Sequence, residues 1–310
     1  MSAELVRAER ILRAACGERV RTDFPLAPLT SFRLGGPAAL YLEPETDADL
    51  AAVGEALHES DVPFVVLGKG SNVLVADTGF AGLVMRLGRG YRWVAREGDR
   101  LTVGASMPLP ALASVALRHG LSGLEFGVAI PATVGGAIRM NAGAHEGSMA
   151  EVLERVHVFG LASGRANSIP ATEAGFVYRG SALPDDAVVT GGSVRLSSGN
   201  PDEIRSRMDE AREWRRRTQP VAEPNCGSVF TNPPGDHAAR LIEAAGGKGR
   251  RIGGAVVSAK HANFIVAEPG ATASDVLALI HEVERLVQDA SGVALVTEVR
   301  LIGAFDDARR

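Results

Sequence analysis

Apolar residues recur along this chain with two spacings, one typical of amphipathic helices and the other typical of β-strands. Helix starts are marked by Thr46, a capping residue with Asp49 at the third position, and by Pro201, which opens an acidic first turn. Gly120 stands where a helix that begins near Pro108 would end. We therefore predict helices in residues 1–20, after Thr46, from Pro108 to Gly120, from Asn200 to Thr218 (with Ile204, Met208, Ala211 and Trp214 buried), near His237–Ala245 and over Ser274–Ala290.

Shorter apolar segments bounded by glycine, proline and polar residues have the length and composition of strands. Val62–Leu67 is apolar throughout, which predicts a buried strand, and with the preceding helix it completes a β–α–β unit. Leu83–Leu87, Trp93–Arg96 and Leu101–Val103 predict an antiparallel or mixed sheet. Further strands are predicted around Tyr41 and over Val73–Val75, Val152–Phe159, Val188–Leu196, Ser228–Phe230, Val256–Ser258, Phe264–Val266 and Leu295–Ile302.

Composition and charge exclude several classes of protein. The chain has 310 residues, of which 45% are hydrophobic and 23% charged, which suits two α+β domains. Its formal net charge of −4 argues against a nucleic-acid partner, and no apolar run reaches the length of a membrane span. Two cysteines, Cys16 and Cys226, are too few for a disulfide framework or a Cys-based zinc site. We expect a cytoplasmic protein with no metal, nucleic-acid or membrane partner.

The stretch from Gly120 to Gly147 carries seven glycines in 28 residues. Its apolar residues, among them Phe126 and Ile138, predict that it is largely buried, unlike a polar glycine-rich linker. Buried irregular backbone needs hydrogen-bond partners, and glycine lets backbone approach a flat or charged ligand closely. A tight crossing of two core elements is the alternative. Seven glycines together with Asn141 favour a large cofactor lying against the main chain.

The loop Gly68–Asn72 follows a predicted strand, a position where phosphate-binding loops often lie. It lacks the first glycine of a P-loop and the third glycine of a dinucleotide-binding fingerprint. Successive N–H groups in such a turn can bind an anion, and Lys69 would add positive charge. Taken alone, the residues fit an ordinary tight turn equally well.

Motifs spread from residue 29 to residue 303 resemble, in the same order, those of bacterial UDP-N-acetylenolpyruvoylglucosamine reductases. They are LTSFRLGGPA from Leu29, VLGKGSNVLV from Val66, the glycine-rich stretch, YRGS from Tyr178, CGSVFTNP from Cys226, GGAVVSAKHANFIV from Gly253 and TEVRLIG from Thr297. The short spacing between Arg179 and Ser228 resembles the branch of this family that lacks a substrate-closing tyrosine insertion.

The resemblance implies an α+β fold with a two-part FAD-binding domain of the vanillyl-alcohol-oxidase (PCMH) type, followed by a smaller α+β substrate-binding domain. We assign residues 1–31 to an N-terminal helix and lead-in, 32–197 to the FAD-binding domain with a split near residue 85, and 198–310 to the substrate-binding domain. We expect a monomer that uses non-covalent FAD and takes hydride from NADPH. His145, a residue type that links flavin covalently in some relatives of this fold, is expected to be structural or on the surface. The implied FAD contacts are Gly68, Lys69, Gly70, Ser71, Asn72, Ile130, Pro131, Thr133, Gly135, Gly136 and Asn141.

The implied reaction adds hydride to C3 of an enolpyruvyl ether on UDP-N-acetylglucosamine and a proton to C2. Arg179 would grip the substrate carboxylate, Glu298 would hydrogen-bond the developing enolate, and Ser228 would donate the proton. Read from the residues alone, Arg179 is favoured as a structural ion-pair partner and Ser228 as a turn serine. The alternative for Glu298 is an exposed strand carboxylate paired with Arg300. Cys226 is read as a small buried thiol rather than a nucleophile.

For the nucleotide-sugar, the resemblance implies contacts at Tyr178, Arg215, Asn232, His261, Asn263 and Arg300. The family carries a lysine where this chain has Thr218, which leaves open whether Arg216 or Arg217 substitutes for it; a solvated charge run is the alternative. Two further departures, Ala132 in place of a glycine and Arg139 in place of an aliphatic residue, lie beside the predicted flavin contacts.

Two other functions compete with this reductase. A flavoprotein oxidase or dehydrogenase of an alcohol or sugar acid would use the same flavin fold and would not require Ser228. A non-catalytic binder of flavin or of a nucleotide-sugar would need no proton donor, so the set of Arg179, Ser228 and Glu298 argues against it.

Overall fold

The computed structural model of this protein describes residues 2–144 and 147–305, and its chain divides into two compact units. The first unit comprises Met1–Thr22, Ala39–Lys69 and Gly82–Trp214. The second comprises Asp23–Ala38, Gly70–Ala81 and Arg215–Arg310, so it takes up two segments from the N-terminal third of the chain. The contiguous domain limits drawn above (1–31, 32–197 and 198–310) stay a prediction.

Eight helices are present in the described residues. Their starts follow ordinary capping rules: Thr46 and Thr272 each accept a hydrogen bond from the backbone three residues on and form capping boxes with Asp49 and Asp275. Gly120 directly follows the C-cap of α3 and has a φ of +64°, as predicted. The helices are α1 (Ala3–Cys16), α2 (Asp47–Ser60), α3 (Leu109–Arg118), α4 (Val134–Arg139), α5 (Met149–Val152), α6 (Pro201–Thr218), α7 (Ala238–Ala244) and α8 (Ala273–Ser291).

Short strands form two larger sheets and several small ladders. The strands are β1 (Arg21–Pro25), β2 (Pro37–Leu42), β3 (Phe64–Val66), β4 (Val73–Val75), β5 (Phe80–Met85), β6 (Val94–Glu97), β7 (Arg100–Gly104), β8 (Leu121–Ser122), β9 (Gly143–Ala144), β10 (Gly147–Ser148), β11 (Leu153–Gly160), β12 (Arg165–Pro170), β13 (Ala187–Arg195), β14 (Ser197–Ser198), β15 (Arg251–Ile252), β16 (Ala255–Val257), β17 (Ile265–Ala267) and β18 (Arg300–Ile302). One sheet has the order β1-β2-β5-β3 and the other the order β12-β11-β13-β7-β6. Thus the predicted β–α–β opening (β2, α2, β3) is confirmed, with β5 between its strands.

The first unit has two apolar cores. One is built from α1, α2 and their strands, and the other fills the space between the five-stranded sheet and α3, α4 and α6. Leu124, Phe126 and Ile138 belong to the second core, so the predicted burial of the glycine-rich stretch is confirmed. Burying such side chains contributes roughly 1.5–3 kcal/mol each, which fixes the stretch firmly in place.

The second unit is built around α7 and α8 and the three-stranded antiparallel sheet β15-β16-β17. Here β18 pairs in parallel with β4, whose residues lie more than 200 positions earlier. Phe32 and Leu74, from the N-terminal segments, are fully buried in the same core as Val229 and Ile280. The predicted helices near His237–Ala245 and Ser274–Ala290 are confirmed as α7 and α8.

Several strand predictions are wrong. Val62–Leu67 was expected to be a buried strand, but β3 is an edge strand on which Val66 is 40% exposed. Leu83–Leu87 was grouped with the two strands that follow it, yet β5 pairs in parallel with β3 in the other sheet. Ser228–Phe230 makes a single bridge, between Phe230 and Thr297, rather than a strand. Of Leu295–Ile302, only the last three residues are extended into a ladder.

Several regular elements were not predicted from the sequence, among them β12 and α4, and the predicted buried face of α6 extended too far. The polar segment Arg165–Pro170 forms β12, and Val134–Arg139 forms α4 although it contains two glycines. Trp214 was expected on the buried face of α6 but is 41% exposed, whereas Ile204, Met208 and Ala211 are buried as predicted. No helix of residues 2–144 and 147–305 has the length and apolar character that crossing a membrane requires.

Candidate active site

The amino end of α4 brings several predicted cofactor contacts together in the first unit. Thr133 caps this helix by accepting a hydrogen bond from the Gly136 N–H (3.3 Å). A Cβ on Gly68 would lie 2.8 Å from the Thr133 hydroxyl oxygen, and a Cβ on Gly135 would lie 2.8 Å from Cβ of Ala105. These two glycines therefore allow close packing of one chain segment on another.

Gly136 is different, because a Cβ there would meet only the Thr133 hydroxyl, at 3.4 Å. The packing of the first unit does not demand a glycine at this position. Ile130 nearby is half-buried, whereas Pro131 and Lys69 are exposed. Bare backbone beside exposed and half-exposed residues is the arrangement expected where a flat ligand lies on the chain.

The other half of the predicted cofactor loop, Gly70–Asn72, belongs to the second unit. Gly70 has a φ of +66°, and a Cβ there would overlap the carbonyl oxygen of Leu29. The Gly70 carbonyl accepts hydrogen bonds from both the N–H (2.9 Å) and the hydroxyl (3.2 Å) of Ser31. Any side chain at position 70 would break this packing, so the turn is held rigidly against the segment that follows Leu29.

Asn72 ties the predicted cofactor loop to the predicted catalytic Glu298. Its side-chain amide donates to the Glu298 carbonyl (3.1 Å), and its own carbonyl accepts from the Arg300 N–H (3.1 Å). The parallel pairing of β4 with β18 starts at the next residue, Val73. The side chain of Asn72 thus serves the backbone around Glu298, a role that its predicted flavin contact did not foresee.

Ser228 lies beside the same segment. Gly227 before it has a φ of +82° and donates to the Asn225 side chain (2.9 Å). Val229 after it accepts from the Glu298 N–H (2.7 Å). Both neighbours of the half-buried Ser228 are therefore fixed by hydrogen bonds within the second unit.

Asn263 was predicted to bind substrate, but its side chain is committed to the protein. The residue is only 4% exposed, its oxygen accepts from the Phe230 N–H (2.9 Å) and its nitrogen donates to the Phe230 carbonyl (2.8 Å). The Asn263 carbonyl also accepts from the Val229 N–H (2.9 Å). This placement favours a brace that holds residues 229 and 230 over a direct contact with substrate.

In the first unit, Arg179 lies in a loop that packs on the turn after α4. Arg179 has a φ of +60°, and its Nη1 donates to the Gly143 carbonyl (2.8 Å). The guanidinium also lies over the ring of Tyr178, 5.2 Å from its centroid, while Tyr178 itself is 60% exposed. Asn141, with a φ of +41°, donates to the Val177 carbonyl (2.9 Å) and accepts from the Ala150 N–H (3.0 Å).

The remaining predicted substrate contacts lie in the second unit. Asn232 is exposed, and its side-chain oxygen accepts from the Ala238 N–H (3.1 Å) at the start of α7. His261 is half-buried, accepts from the Asn263 N–H (3.3 Å) and packs edge-on against Phe264. Arg300 is exposed on β18, and Arg215 is half-buried in the last turn of α6. Ser71 is half-buried beside Asn72.

Burial shifts the pKa of three side chains in this region. It lowers the pKa of His261, with Lys248 as the next cause, so the imidazole is neutral at pH 7 and can accept through Nδ1. Burial also lowers the pKa of the Arg215 guanidinium. It raises the pKa of the fully buried Cys226 thiol far above neutrality, which fits the inert thiol expected from the sequence.

Sequence reasoning missed two residues that shape these loops. Arg139 was noted only as a departure from an aliphatic residue, yet its guanidinium donates to three backbone carbonyls of residues 183–187. Lys260 donates to the Arg216 carbonyl (2.6 Å) at the carboxyl end of α6, next to the unexpected Thr218. A charged residue in an otherwise apolar helix, such as Arg139, is the signal that could have drawn attention to the first.

Other features of the described residues lie away from this chemistry. An open cleft of about 660 Å³ in the first unit is lined by none of the predicted site residues. Within residues 2–144 and 147–305, no three His, Cys, Asp or Glu side chains are grouped as metal ligands. His145 lies outside the described residues.

Two domain families match the chain. Residues 38–167 match a family described as an FAD binding domain, and residues 219–302 match the C-terminal domain of UDP-N-acetylenolpyruvoylglucosamine reductase. The first match runs from β2 to the middle of β12 and includes α4, and the second covers Ser228, Asn263 and Glu298.

Full-length relatives agree with these matches. A UDP-N-acetylenolpyruvoylglucosamine reductase of Anaeromyxobacter sp. (strain Fw109-5) is 48% identical over 96% of this chain and 93% of its own length. The protein of the same name from Heliobacterium modesticaldum is 45% identical over 90% of this chain and 89% of its own length.

Solved structures show the same relationship. The crystal structure of the enzyme of this name from Thermus caldophilus matches with a TM-score of 0.80 and 39% identity, over 92% of this chain and 99% of that one. Phl p 4.0202, a glucose dehydrogenase, matches with a TM-score of 0.51 at 14% identity, which is likeness of fold alone. The predicted fold class, a two-part FAD-binding domain of the vanillyl-alcohol-oxidase type followed by a smaller α+β domain, is confirmed. The chain belongs to the UDP-N-acetylenolpyruvoylglucosamine reductase family.

Proposed function

We propose that this protein is an NADPH-dependent flavoenzyme that reduces UDP-N-acetylglucosamine enolpyruvate to UDP-N-acetylmuramate, a step of peptidoglycan precursor synthesis. The observation that carries the proposal is the hydrogen-bonded set around Ser228. Glu298 donates to Val229, and Asn72 donates to Glu298, so a hydroxyl, a carboxyl and the predicted cofactor loop share one small region of the second unit. The identity of the substrate is inferred from the family to which the chain belongs.

The residues present fit non-covalent FAD. Gly136 carries bare backbone that internal packing does not require, and Gly70 is fixed at a positive φ in a turn whose neighbours, Ser71 and Lys69, offer a hydroxyl and a positive charge. We assign the cofactor to Gly68–Asn72, Ile130, Pro131, Thr133, Gly135, Gly136 and Asn141. Within this set, Asn141 acts through the backbone that its side chain holds.

When bound, FAD supplies the transfer of hydride from NADPH to C3 of the enolpyruvyl group. The chain itself must then manage the negative charge that develops at C2 and spreads into the substrate carboxylate. Arg179 offers a guanidinium that can grip a carboxylate with two parallel hydrogen bonds. Glu298, in its protonated form, donates a hydrogen bond to the developing enolate oxygen.

Ser228 completes the reaction by donating its hydroxyl proton to C2. An alcohol is a weak acid, but a carbanion-like carbon is basic enough to accept that proton. The hydrogen bonds of Gly227 and Val229 hold the Ser228 backbone on both sides, so its hydroxyl need not be positioned anew in each turnover.

For the nucleotide-sugar we assign Tyr178, Arg215, Asn232, His261 and Arg300 as contacts, with Asn263 acting as a brace for residues 229 and 230. For the diphosphate we assign three cationic residues near the end of α6, which are Arg215, Arg216 and Lys260. We further propose that the protein works as a monomer in the cytoplasm.

The test of this function separates its two half-reactions under anaerobic conditions. Purified protein should carry FAD whose absorbance bleaches with NADPH and recovers with the enolpyruvyl substrate. Ser228→Ala should leave the bleaching rate nearly unchanged and slow the recovery by roughly 10²- to 10⁴-fold, the range expected for loss of a general acid. Ser291→Ala, an exposed serine at the end of α8, is the matched control and should recover at the normal rate.

An equal slowing of both half-reactions by Ser228→Ala would remove Ser228 from the proton-transfer step. Rapid reoxidation of the reduced protein by oxygen, with no response to the enolpyruvyl substrate, would instead favour the oxidase or dehydrogenase that shares this fold. A purified protein without FAD would contradict both enzymes.

A further inference from the structure

Arg139, the last residue of α4, joins this helix to a loop of the first unit that precedes β13. Its Nη1 donates to the carbonyls of Leu183 (2.7 Å) and Pro184 (3.0 Å), and its Nη2 donates to the carbonyls of Pro184 and Ala187. We call these contacts, between one guanidinium and the carbonyls of Leu183, Pro184 and Ala187, the Arg139 clamp. No carboxylate is needed for it, because the flat fork of five N–H donors matches several carbonyls at once.

The clamped loop is continuous with the segment that carries Tyr178 and Arg179. The Ser181 hydroxyl donates to the Arg139 carbonyl (2.9 Å), the Asn141 side chain donates to the Val177 carbonyl, and Arg179 donates to the Gly143 carbonyl. Hydrogen bonds thus join residues 139, 141 and 143 to six residues of the segment 177–187. Arg139 contributes to this set from both its side chain and its main chain.

Both segments contain backbone that a non-glycine residue adopts reluctantly. Asn141 has a φ of +41° and Arg179 a φ of +60°. Such conformations persist only where surrounding contacts over-determine them, and they concentrate at functional sites. The hydrogen bonds between the two segments are the contacts that hold both residues in place.

We propose that Arg139 is a positioning residue for Arg179: its clamp holds residues 177–187 so that the Arg179 guanidinium is already oriented toward the substrate carboxylate. This inference rests on the proposed function, in which Arg179 stabilises charge that develops in the second half-reaction. A group oriented in advance stabilises that charge without reorganising during the reaction. The Arg139 guanidinium is bonded to the carbonyls of Leu183, Pro184 and Ala187, so its effect on the reaction passes through Arg179.

The experiment is a double-mutant cycle of Arg139→Met and Arg179→Lys, measured on protein with bound FAD in the two separate half-reactions. Arg139→Met should slow reoxidation by the enolpyruvyl substrate about 10- to 100-fold, mainly in the limiting rate rather than in the substrate concentration at half-saturation. Reduction by NADPH should change less than about threefold. In the Arg179→Lys background, Arg139→Met should slow reoxidation by less than about threefold, because the guanidinium that Arg139 positions is no longer present.

Arg155→Met is the matched control. Arg155 also uses its guanidinium on a backbone carbonyl and a hydroxyl of the first unit, both belonging to Ser168 in the β11–β12 hairpin, and it should leave both half-reactions unchanged. If Arg139→Met does not retain FAD, Arg139→Lys replaces it: one ammonium cannot satisfy all three carbonyls, so an intermediate slowing of reoxidation is expected.

The outcomes separate this inference from the function on which it rests. If Arg179→Lys alone reoxidises at the normal rate, the assignment of Arg179 is wrong and the clamp has no target. If Arg179→Lys is slow but the Arg139 substitution costs the same factor with and without it, Arg139 does not act through Arg179. Lower thermal stability with unchanged half-reactions would likewise reduce Arg139 to a structural contact.

Discussion

The loops that carry Arg179 and Ser228 are held by opposite means. In the first unit, Arg179 stands in left-handed backbone and is kept there by hydrogen bonds from side chains to carbonyls at Val177, Leu183 and Ala187. In the second unit, the left-handed conformation before Ser228 falls on a glycine, Gly227, and residues 229 and 230 are paired with buried groups. The first loop stores strain, whereas the second is relaxed.

This difference determines where each loop is vulnerable. The geometry of Arg179 depends on several half-exposed hydrogen bonds between residues 139–143 and 177–187. The loss of one of these bonds should therefore reduce activity before it reduces stability. The geometry of Ser228 depends on a buried side-chain amide, so its loss should reduce stability first. Three further substitutions test the contrast, in order of decreasing effect.

Asn263→Ala should have the largest effect on stability. It leaves both the N–H and the carbonyl of Phe230 buried without their partner, and Phe230 is only 2% exposed. At about 1–3 kcal/mol for each of the two unsatisfied groups, we expect the free energy of unfolding to fall by roughly 2–6 kcal/mol, measured by urea denaturation.

Asn167→Ala is the control for that loss, because Asn167 is exposed and its side-chain oxygen accepts from the neighbouring Ser168 N–H. It should change the free energy of unfolding by no more than about 0.5 kcal/mol. A similar small change for Asn263→Ala would show that the buried pairing is not what stabilises the Ser228 loop.

Substitutions of Asn141 separate strain from hydrogen bonding in the first unit. Asn141→Ala and Asn141→Gly both remove the bonds to Val177 and Ala150, but only glycine adopts a φ of +41° readily. We expect the alanine variant to be about 1 kcal/mol less stable than the glycine variant. Thermal and urea unfolding of the two proteins measure the difference, and equal stabilities would mean that the backbone there is not strained.

The smallest effect concerns pH. Burial lowers the pKa of His261 in the folded protein. Between this lowered pKa and the ordinary histidine pKa of about 6.5, the unfolded chain therefore binds more protons than the folded one. Stability contributed by the neutral imidazole is therefore present above about pH 6.5 and is lost as pH falls through that value towards the lowered pKa. His261→Gln keeps a polar side chain that does not titrate and should flatten this slope.

Urea unfolding between pH 8 and pH 5 compares His261→Gln with the wild type and with His58→Gln. His58 is exposed on α2 and serves as the control whose slope should match the wild type. A wild-type slope in the His261→Gln protein would assign the pH dependence to other groups.

Helices whose starts are set by neighbouring residues could be predicted from the sequence. Thr46 and Pro201 mark helix starts by capping chemistry that acts within four residues, and both helices begin where predicted. Val134–Arg139 was missed because two glycines oppose a helix, and tertiary packing on Ala105 overrides that preference. The exposure of Trp214 could not be predicted from helical periodicity. The periodicity shows which face of α6 is apolar, but not how far along the helix other residues pack against that face.

The candidate site likewise combines residues with a local sequence signal and residues whose contacts lie far away in the chain. The motif around Ser228 predicts a proton donor there. The hydrogen bonds of Asn263 to Phe230 join residues more than 30 positions apart, and no local pattern encodes them. The same holds for Asn72, whose amide reaches the Glu298 carbonyl 226 residues away. Arg139 appeared only as an unexpected charge, since the carbonyls that it binds belong to a loop with no pattern of its own.

The pairing of β4 with β18 has a consequence for how this protein is made. β4 lies more than 200 residues before its ladder partner, Arg300–Ile302. The anchor beneath the Gly70–Asn72 turn is therefore missing until β18 has been synthesised, and closing so long a loop is slow. A chain that lacks β18 lacks this support for the predicted cofactor turn, so we expect FAD to be captured only after β4 and β18 have paired.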